Sequence, residues 1–315
     1  MEQPLVLVDV PLPPMIRELL DPICSLGSWE EADGPEGARA AGLFTYGHPP
    51  VGERLLERLP ALRVISNFGV GVDHVDLAAA AARGIPVGNT PGAVDGATAD
   101  LTFAILLACA RNVVVGDRFA RSAGFTRFDP SLFLGAEVHG STLGIVGMGR
   151  VGRGVARRAA GFDMEVLYHN RRRDPEAERE TGAVYATLPD LLSRSHFVSL
   201  NVPLTLETRG LIGARELALM RPDAILVNVA RGAVVDHDAL HRALVEGRIR
   251  GAAIDVTEPE PLPRDHPLLR LDNLVITPHL GSAAERSRRR MAEMAAQNLA
   301  AGLEGRPLAW EVRAS

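Results

Sequence analysis

Short apolar runs recur along the chain, separated by stretches whose apolar positions repeat with helical spacing. Leu5–Val8, Ala41–Thr45, Arg63–Ser66 and Ile85–Val87 are such runs, and each ends in a turn-like cluster. Between them Met15–Leu20, Glu53–Leu59 and Val75–Arg83 read as helices. Strand alternating with helix predicts a parallel sheet covered on both faces. A longer apolar segment follows, Asp100–Ala110, with Thr98 or Asp100 as its expected cap. The alternation then restarts, with predicted strands at Thr142–Val146, Met164–Tyr168, Phe197–Asn201, Ala224–Val229, Ala252–Val256 and Leu274–Ile276. Two successive runs predict two α/β domains joined near residues 95–115. The last helical stretch, Ala283–Leu303, is expected to pack back on the first domain, which divides the chain into 1–97 plus 282–315 and 98–281. Glu258–Pro267, with four prolines, reads as a surface loop.

The chain has 315 residues, enough for two buried cores, and a net charge of -5. That mildly acidic balance argues against nucleic acid or an anionic membrane as the main partner. The longest apolar run, Leu101–Ala110, is closed by Arg111 and is too short to span a bilayer. Glu2 and Asp9 near the N-terminus leave no basic n-region, so no secretory signal is expected. Cys24 and Cys109 build no disulfide framework and lack metal-site spacing. These features predict a cytoplasmic protein. All 34 basic residues are Arg. Without lysine there is no Schiff base, no P-loop and no lysine proton donor.

Thr142–Val146 runs into Gly147-Met148-Gly149-Arg150-Val151-Gly152, and a helix is expected from Arg153 to Gly161. A lone GxGxxG is weak, but strand before, helix after and next strand at Met164 are all in place. Gly147 serves the tight turn, Gly149 lets backbone approach a pyrophosphate, and Gly152 allows close helix–strand packing. The helix N-terminus offers N–H groups and the positive dipole end to phosphates. The alternative is a purely structural turn; the context favours a dinucleotide site. After the next strand the chain reads Asn170-Arg171-Arg172-Arg173, with no carboxylate for a ribose 2′-OH. Guanidiniums suit a 2′-phosphate, so NADPH is expected over NADH, the bland alternative being a solvated basic run.

Chemistry in an open α/β sheet sits beyond the carboxyl ends of the strands. There stand Arg231, then Asp255 with Glu258 and Glu260, then His279. They suit reduction of a 2-oxo acid. Arg231 can hold the carboxylate with a bidentate fork, and His279 can deliver a proton to the ketone oxygen. Glu260 would keep the imidazole charged and oriented. Singly, such an Arg is often a surface ion pair and such a His a core residue; on one rim the three gain weight. His237 and His241 have helical spacing, but without a third ligand they read as a solvated helix face. The other eight histidines have no setting comparable to that of His279. Glycines flanking Val70 in Asn67–Asp73 suggest either an anion nest or a structural turn.

With these residues in view, the chain resembles the D-isomer-specific 2-hydroxyacid dehydrogenases over essentially its whole length. The resemblance is carried by Asn67–Asp76, Gly96–Asp100, Leu143–Gly152, Asn228–Asp236, Ala253–Pro261 and Thr277–Ala284. Within the family it looks most like the glyoxylate/hydroxypyruvate reductases, through Asp255–Pro263, His266–Leu268 and His279–Ala283. The resemblance implies two Rossmann-like, doubly wound domains with the active site in the cleft between them, usually as a homodimer built on the cofactor domains. It implies that Arg231 binds substrate, Glu260 supports the acid and His279 donates the proton. Substrate contacts would come from the backbone of Val70 and Gly71, with Tyr46 lining the pocket. Cofactor contacts would come from Thr98, Gly149, Arg150, Val151, Asn170, Arg171, Arg172, Pro203, Val229, Asp255 and Gly281, beside the motif glycines Gly147 and Gly152. A reductase of larger 2-oxo acids, such as hydroxyphenylpyruvate, and a dinucleotide-sensing binding module are the competing readings.

Overall fold

A computed structural model describes residues 3–47 and 49–312. Glu2, used above against a signal segment, and His48 lie outside the described residues. The chain divides into two compact units, Met1–Val94 with Ala284–Ser315, and Asp95–Ala283.

The first unit is built on β1 (Leu5–Val8), β2 (Ser25–Ser28), β3 (Gly42–Thr45), β4 (Val64–Asn67) and β5 (Val87–Gly88), all parallel, in the order β2-β1-β3-β4-β5. Alternate side chains feed two cores. Val6, Phe44 and Val64 face one layer, and Leu7, Leu43 and Ile65 face the other. Helix Glu285–Leu303 belongs to this unit, with Met291, Ala292, Ala295 and Leu299 in the Val6 core. Its seat on β4 is close: a side chain at Gly302 would stand 2.4 Å from the Val64 side chain. Ser66 Oγ donates to the Ala295 carbonyl at 2.8 Å, tying strand to helix. The sequence pattern misses β2, whose residues Ser-Leu-Gly-Ser make no apolar run because it is the sheet's edge.

The second unit carries β6 (Thr142–Val146), β7 (Glu165–His169), β8 (Val184–Tyr185), β9 (Phe197–Leu200), β10 (Ile225–Asn228), β11 (Gly251–Ile254) and β12 (Leu274–Ile276). All pair in parallel, in the order β12-β11-β10-β9-β6-β7-β8. That is the doubly wound dinucleotide-binding order with one strand added, and its switch point lies between β6 and β9. The inner strands β6, β9, β10 and β11 are buried along nearly their whole length, since helices cover both faces. Leu226 and Ile254 enter one core, and Ile145, Tyr168 and Val227 the other. The two-residue edge strand β8 is again invisible in the sequence.

The long helix runs Asp95–Ala110, starting earlier than the expected cap at Thr98 or Asp100. Thr98 lies inside it, buried, and its hydroxyl donates to the Gly281 carbonyl at 3.0 Å rather than capping. Likewise the helix after the glycine turn spans Arg150–Ala159, so Arg150 and Val151 are its first turn. No single helix among the described residues is long and apolar enough to cross a membrane. Asp95–Ala110 and Val113–Ala120 pass that test only as a pair bent by 60°.

Candidate active site

Gly147 leaves β6 with φ +99°, and its amide donates to His169 O at 2.9 Å. A side chain there would meet the Asn201 carbonyl oxygen at 2.7 Å, and one at Gly152 would meet Gly147 O at 2.2 Å. Both positions admit glycine alone, because the atoms in the way are backbone. At Gly149 an added side chain meets nothing within 4 Å, so the space above the turn is open. Gly149 also caps the helix with no side-chain bond to its first N–H groups. This is a cradle shaped for a diphosphate, and it fits the pyrophosphate of a dinucleotide.

Asn170 does not face outward as a simple ligand. Its Oδ1 accepts from Met148 N at 2.8 Å and braces the glycine turn. The three arginines that follow part company. Arg173 forms a bidentate pair with Glu178, at 2.7 Å on both arms, and is spent on structure. Arg171 and Arg172 are exposed and make no hydrogen bond or ion pair among the described residues, although the Arg171 charge helps hold the Glu207 carboxyl down. Pro203 and Val229 sit just beyond β9 and β10, half-buried or exposed on the same rim.

Arg231 lies three residues past β10, where Asn228 fixes the turn. Asn228 Nδ2 donates to Arg231 O and its Oδ1 accepts from Ala230 N, at 2.9 and 3.0 Å. Gly232 presses on the next loop: a side chain there would stand 2.0 Å from the Thr257 carbonyl carbon. That loop bears Glu260, whose Oε2 accepts from Thr257 N at 3.2 Å while Oε1 lies 2.6 Å from His279 Nδ1. Burial pushes the Glu260 carboxyl up. The His279 hydrogen bond and charge, the Thr257 amide and the Arg231 charge outweigh it and hold the group below the ordinary glutamate range.

His279 itself has φ +57°, uncommon for a residue with a side chain. Asp255 holds it there. Asp255 Oδ1 accepts from Thr277 Oγ1 at 2.6 Å and from Leu280 N at 2.7 Å; Oδ2 accepts from Gly281 N at 2.8 Å. Asp255 O takes the His279 amide at 2.9 Å. With Thr98 on Gly281, these bonds form a buried cluster behind the imidazole. Thr98, Asp255 and Gly281 thus converge, but their polar groups are directed at the His279 turn.

In the first unit, Asn67 Nδ2 donates to the carbonyls of Gly69 and Gly71, and Asn89 Nδ2 to that of Val70. Gly69 and Gly71 are not among the described residues with positive φ, and the turn, read as either a nest or a structural turn, is held by these asparagine amides. Tyr46 packs tilted against Phe68, with 4.9 Å between ring centroids.

His237 corrects the sequence reading. It is no part of a solvated face: it is 8% exposed, and its Nδ1 lies 3.1 Å from the carbonyl of Glu258, in the loop that bears Glu260. Among the described residues no three His, Cys, Asp or Glu side chains gather as a metal requires. Burial pushes the thiols of Cys24 and Cys109 up to about 12, which leaves neither as a nucleophile.

Residues 103–281 match the family model for the D-isomer specific 2-hydroxyacid dehydrogenase, NAD binding domain. The chain belongs to this family. It is an NAD(P)-dependent dehydrogenase, and the curated relatives it matches include several named glyoxylate reductase. It is 49% identical over 267 residues to a glyoxylate reductase of Thermococcus litoralis, covering 84% of this chain and 80% of that one. It is 43% identical over 317 residues to a glyoxylate reductase of Aeropyrum pernix, covering 97% and 95%. Its fold superposes with TM-score 0.90 on the NADPH-dependent glyoxylate/hydroxypyruvate reductase of Sinorhizobium meliloti, solved with NADP and malonate, at 30% identity over 99% of this chain and 97% of that one.

Proposed function

We propose that this dehydrogenase reduces glyoxylate or hydroxypyruvate to the D-2-hydroxy acid, with NADPH preferred over NADH, in the cytoplasm. The observation that carries the reaction is the 2.6 Å contact of His279 with Glu260 on the rim that also holds Arg231. The bound dinucleotide supplies the hydride. Arg231 holds the substrate carboxylate with its planar fork, and His279 gives a proton to the ketone oxygen as negative charge builds there. Glu260 fixes the ring through Nδ1, which leaves Nε2 to face the substrate. The N–H groups of Val70 and Gly71 serve as anion donors in the first unit. The cofactor preference rests on Arg171 and Arg172, whose guanidiniums are unspent while Arg173 is paired.

Phe125, Phe128, Leu132, Phe133 and Leu134 are exposed, and Phe119 packs against two of them. These exposed apolar side chains support a homodimer formed through the second unit. Sedimentation as a monomer would refute that assembly.

The functional reading is tested by following cofactor oxidation with glyoxylate or hydroxypyruvate and with NADPH or NADH in parallel. Fast oxidation with higher kcat/KM for NADPH is expected. A preference for NADH would keep the reaction and remove the 2′-phosphate role of the arginines. Faster turnover of bulky aryl 2-oxo acids would replace the substrate.

A further inference from the structure

A second histidine stands behind the acid pair. His237 opens helix His237–Val245, directly after the Arg231 turn, and its ring is buried. A carbonyl oxygen can only accept, so the 3.1 Å contact with Glu258 O requires the proton on Nδ1. In the neutral ring Nε2 is then a bare lone pair, and it is buried with no hydrogen-bond partner among the described residues. Such an orphan is costly and persists where the rest of the group's contacts are needed.

The groups around the ring bear on its charge. Desolvation holds it below the ordinary histidine range, opposed by the Glu258 carbonyl, while His266, edge-on at 6.4 Å between centroids, reinforces the lowering. The Glu258 and Asp236 carboxylates pull the other way and do not prevail. Asp236 is occupied in capping the helix through Ala239 N, and His266 Nδ1 accepts from Leu268 N. The ring therefore works as a neutral, single-tautomer donor.

What it holds is the loop that matters. Glu258 lies two residues before Glu260, Thr257 N donates to the Glu260 carboxylate, and Thr257 Oγ1 donates to Pro259 O at 2.9 Å. Gly232 backs onto Thr257 from the Arg231 side. His237 thus joins the turn that bears Arg231 to the loop that bears Glu260.

We propose that His237 is a positioning residue for the acid pair: its Nδ1–H fixes the Glu258 carbonyl and so sets where the Glu260 carboxylate meets His279. This rests on the reductase reading above. The ring is buried, and its influence runs through the Glu258 backbone. Small displacements of a catalytic partner are felt strongly in rate.

The test compares wild type with His237→Leu, His237→Gln and His237→Asn, with NADPH and glyoxylate across pH. Leu removes the donor, Gln moves its amide one bond too far, and Asn places an N–H where Nδ1–H stood. In the Leu and Gln variants kcat for reduction is expected to fall about tenfold, with KM for NADPH unchanged. KM for glyoxylate should change less than kcat, because the loop that His237 holds bears Glu260 and not Arg231. Asn should restore kcat. An unchanged kcat in Leu and Gln, or losses in all three variants that merely follow thermal stability, would overturn the positioning role. A wild type that turns over no 2-oxo acid would instead overturn the reductase reading itself.

Discussion

Gly147 and His279 both turn the chain just beyond a strand's carboxyl end, and both do so at positive φ, +99° and +57°. At the first, glycine adopts the conformation without steric cost, and nearby backbone would exclude any other residue. At the second, a residue with a side chain takes that conformation, and the strain is offset by the four bonds that Asp255 receives from Thr277, His279, Leu280 and Gly281. The cradle for phosphate is thus specified by absent side chains, and the acid by a buried scaffold of hydrogen bonds. Damage to the first should abolish cofactor binding outright, whereas damage to the second should lower rate and stability by degrees.

The largest effect is expected for Gly152→Ala. Its Cβ would stand 2.2 Å from Gly147 O, and no flexible side chain can move aside. NADPH binding, read by fluorescence titration, should be lost; retained affinity would show that the turn is looser than its contacts imply. Next comes the double substitution of Arg171 and Arg172 by Ala. It should raise KM for NADPH by roughly ten- to a hundredfold, as loss of charge-assisted hydrogen bonds does, and leave NADH little changed. Equal loss with both cofactors would make these arginines structural.

Asp255→Asn attacks the scaffold behind His279. One carboxylate oxygen becomes an N–H₂ facing an N–H or O–H donor, so unfolding free energy should drop by about 1–3 kcal/mol in urea melts. Cofactor affinity should change less than kcat. The smallest effect belongs to Glu260→Gln, read as stability against pH. The folded carboxyl lies below its unfolded value, so its contribution is present above the ordinary carboxylate range and fades as pH falls through the folded value. Wild type and variant should therefore differ in melting temperature at neutral pH and converge in acid. The half-exposed setting keeps the difference small.

The two turns also differ in how far the sequence reveals them. The roles of Gly147, Gly149 and Gly152 are local, set by a strand and a helix within a few residues, and are readable from spacing. That Arg231, Glu260 and His279 stand on one rim is readable as well, because strands deliver their ends there. The scaffold is not. That Thr98 binds Gly281, or that Asp255 collects the amides of a turn some 25 residues on, depends on tertiary register that no local pattern encodes. Arg173 looked equivalent to its neighbours until Glu178 claimed it, and His237 looked solvated because its burial comes from a loop twenty residues away. The edge strands β2 and β8 escaped for a different reason: short and half-covered, they carry too little apolar signal.

The most direct measurement is the rate of NADPH oxidation with saturating glyoxylate by His279→Asn, beside its affinity for NADPH. Asparagine accepts the same left-handed backbone and can still bond Glu260, but it cannot donate and regain a proton as an acid. We predict kcat lower by roughly 10²–10⁴-fold with NADPH affinity and melting temperature retained. Near-normal kcat in a folded, NADPH-binding variant would contradict the assignment of His279 as the proton donor.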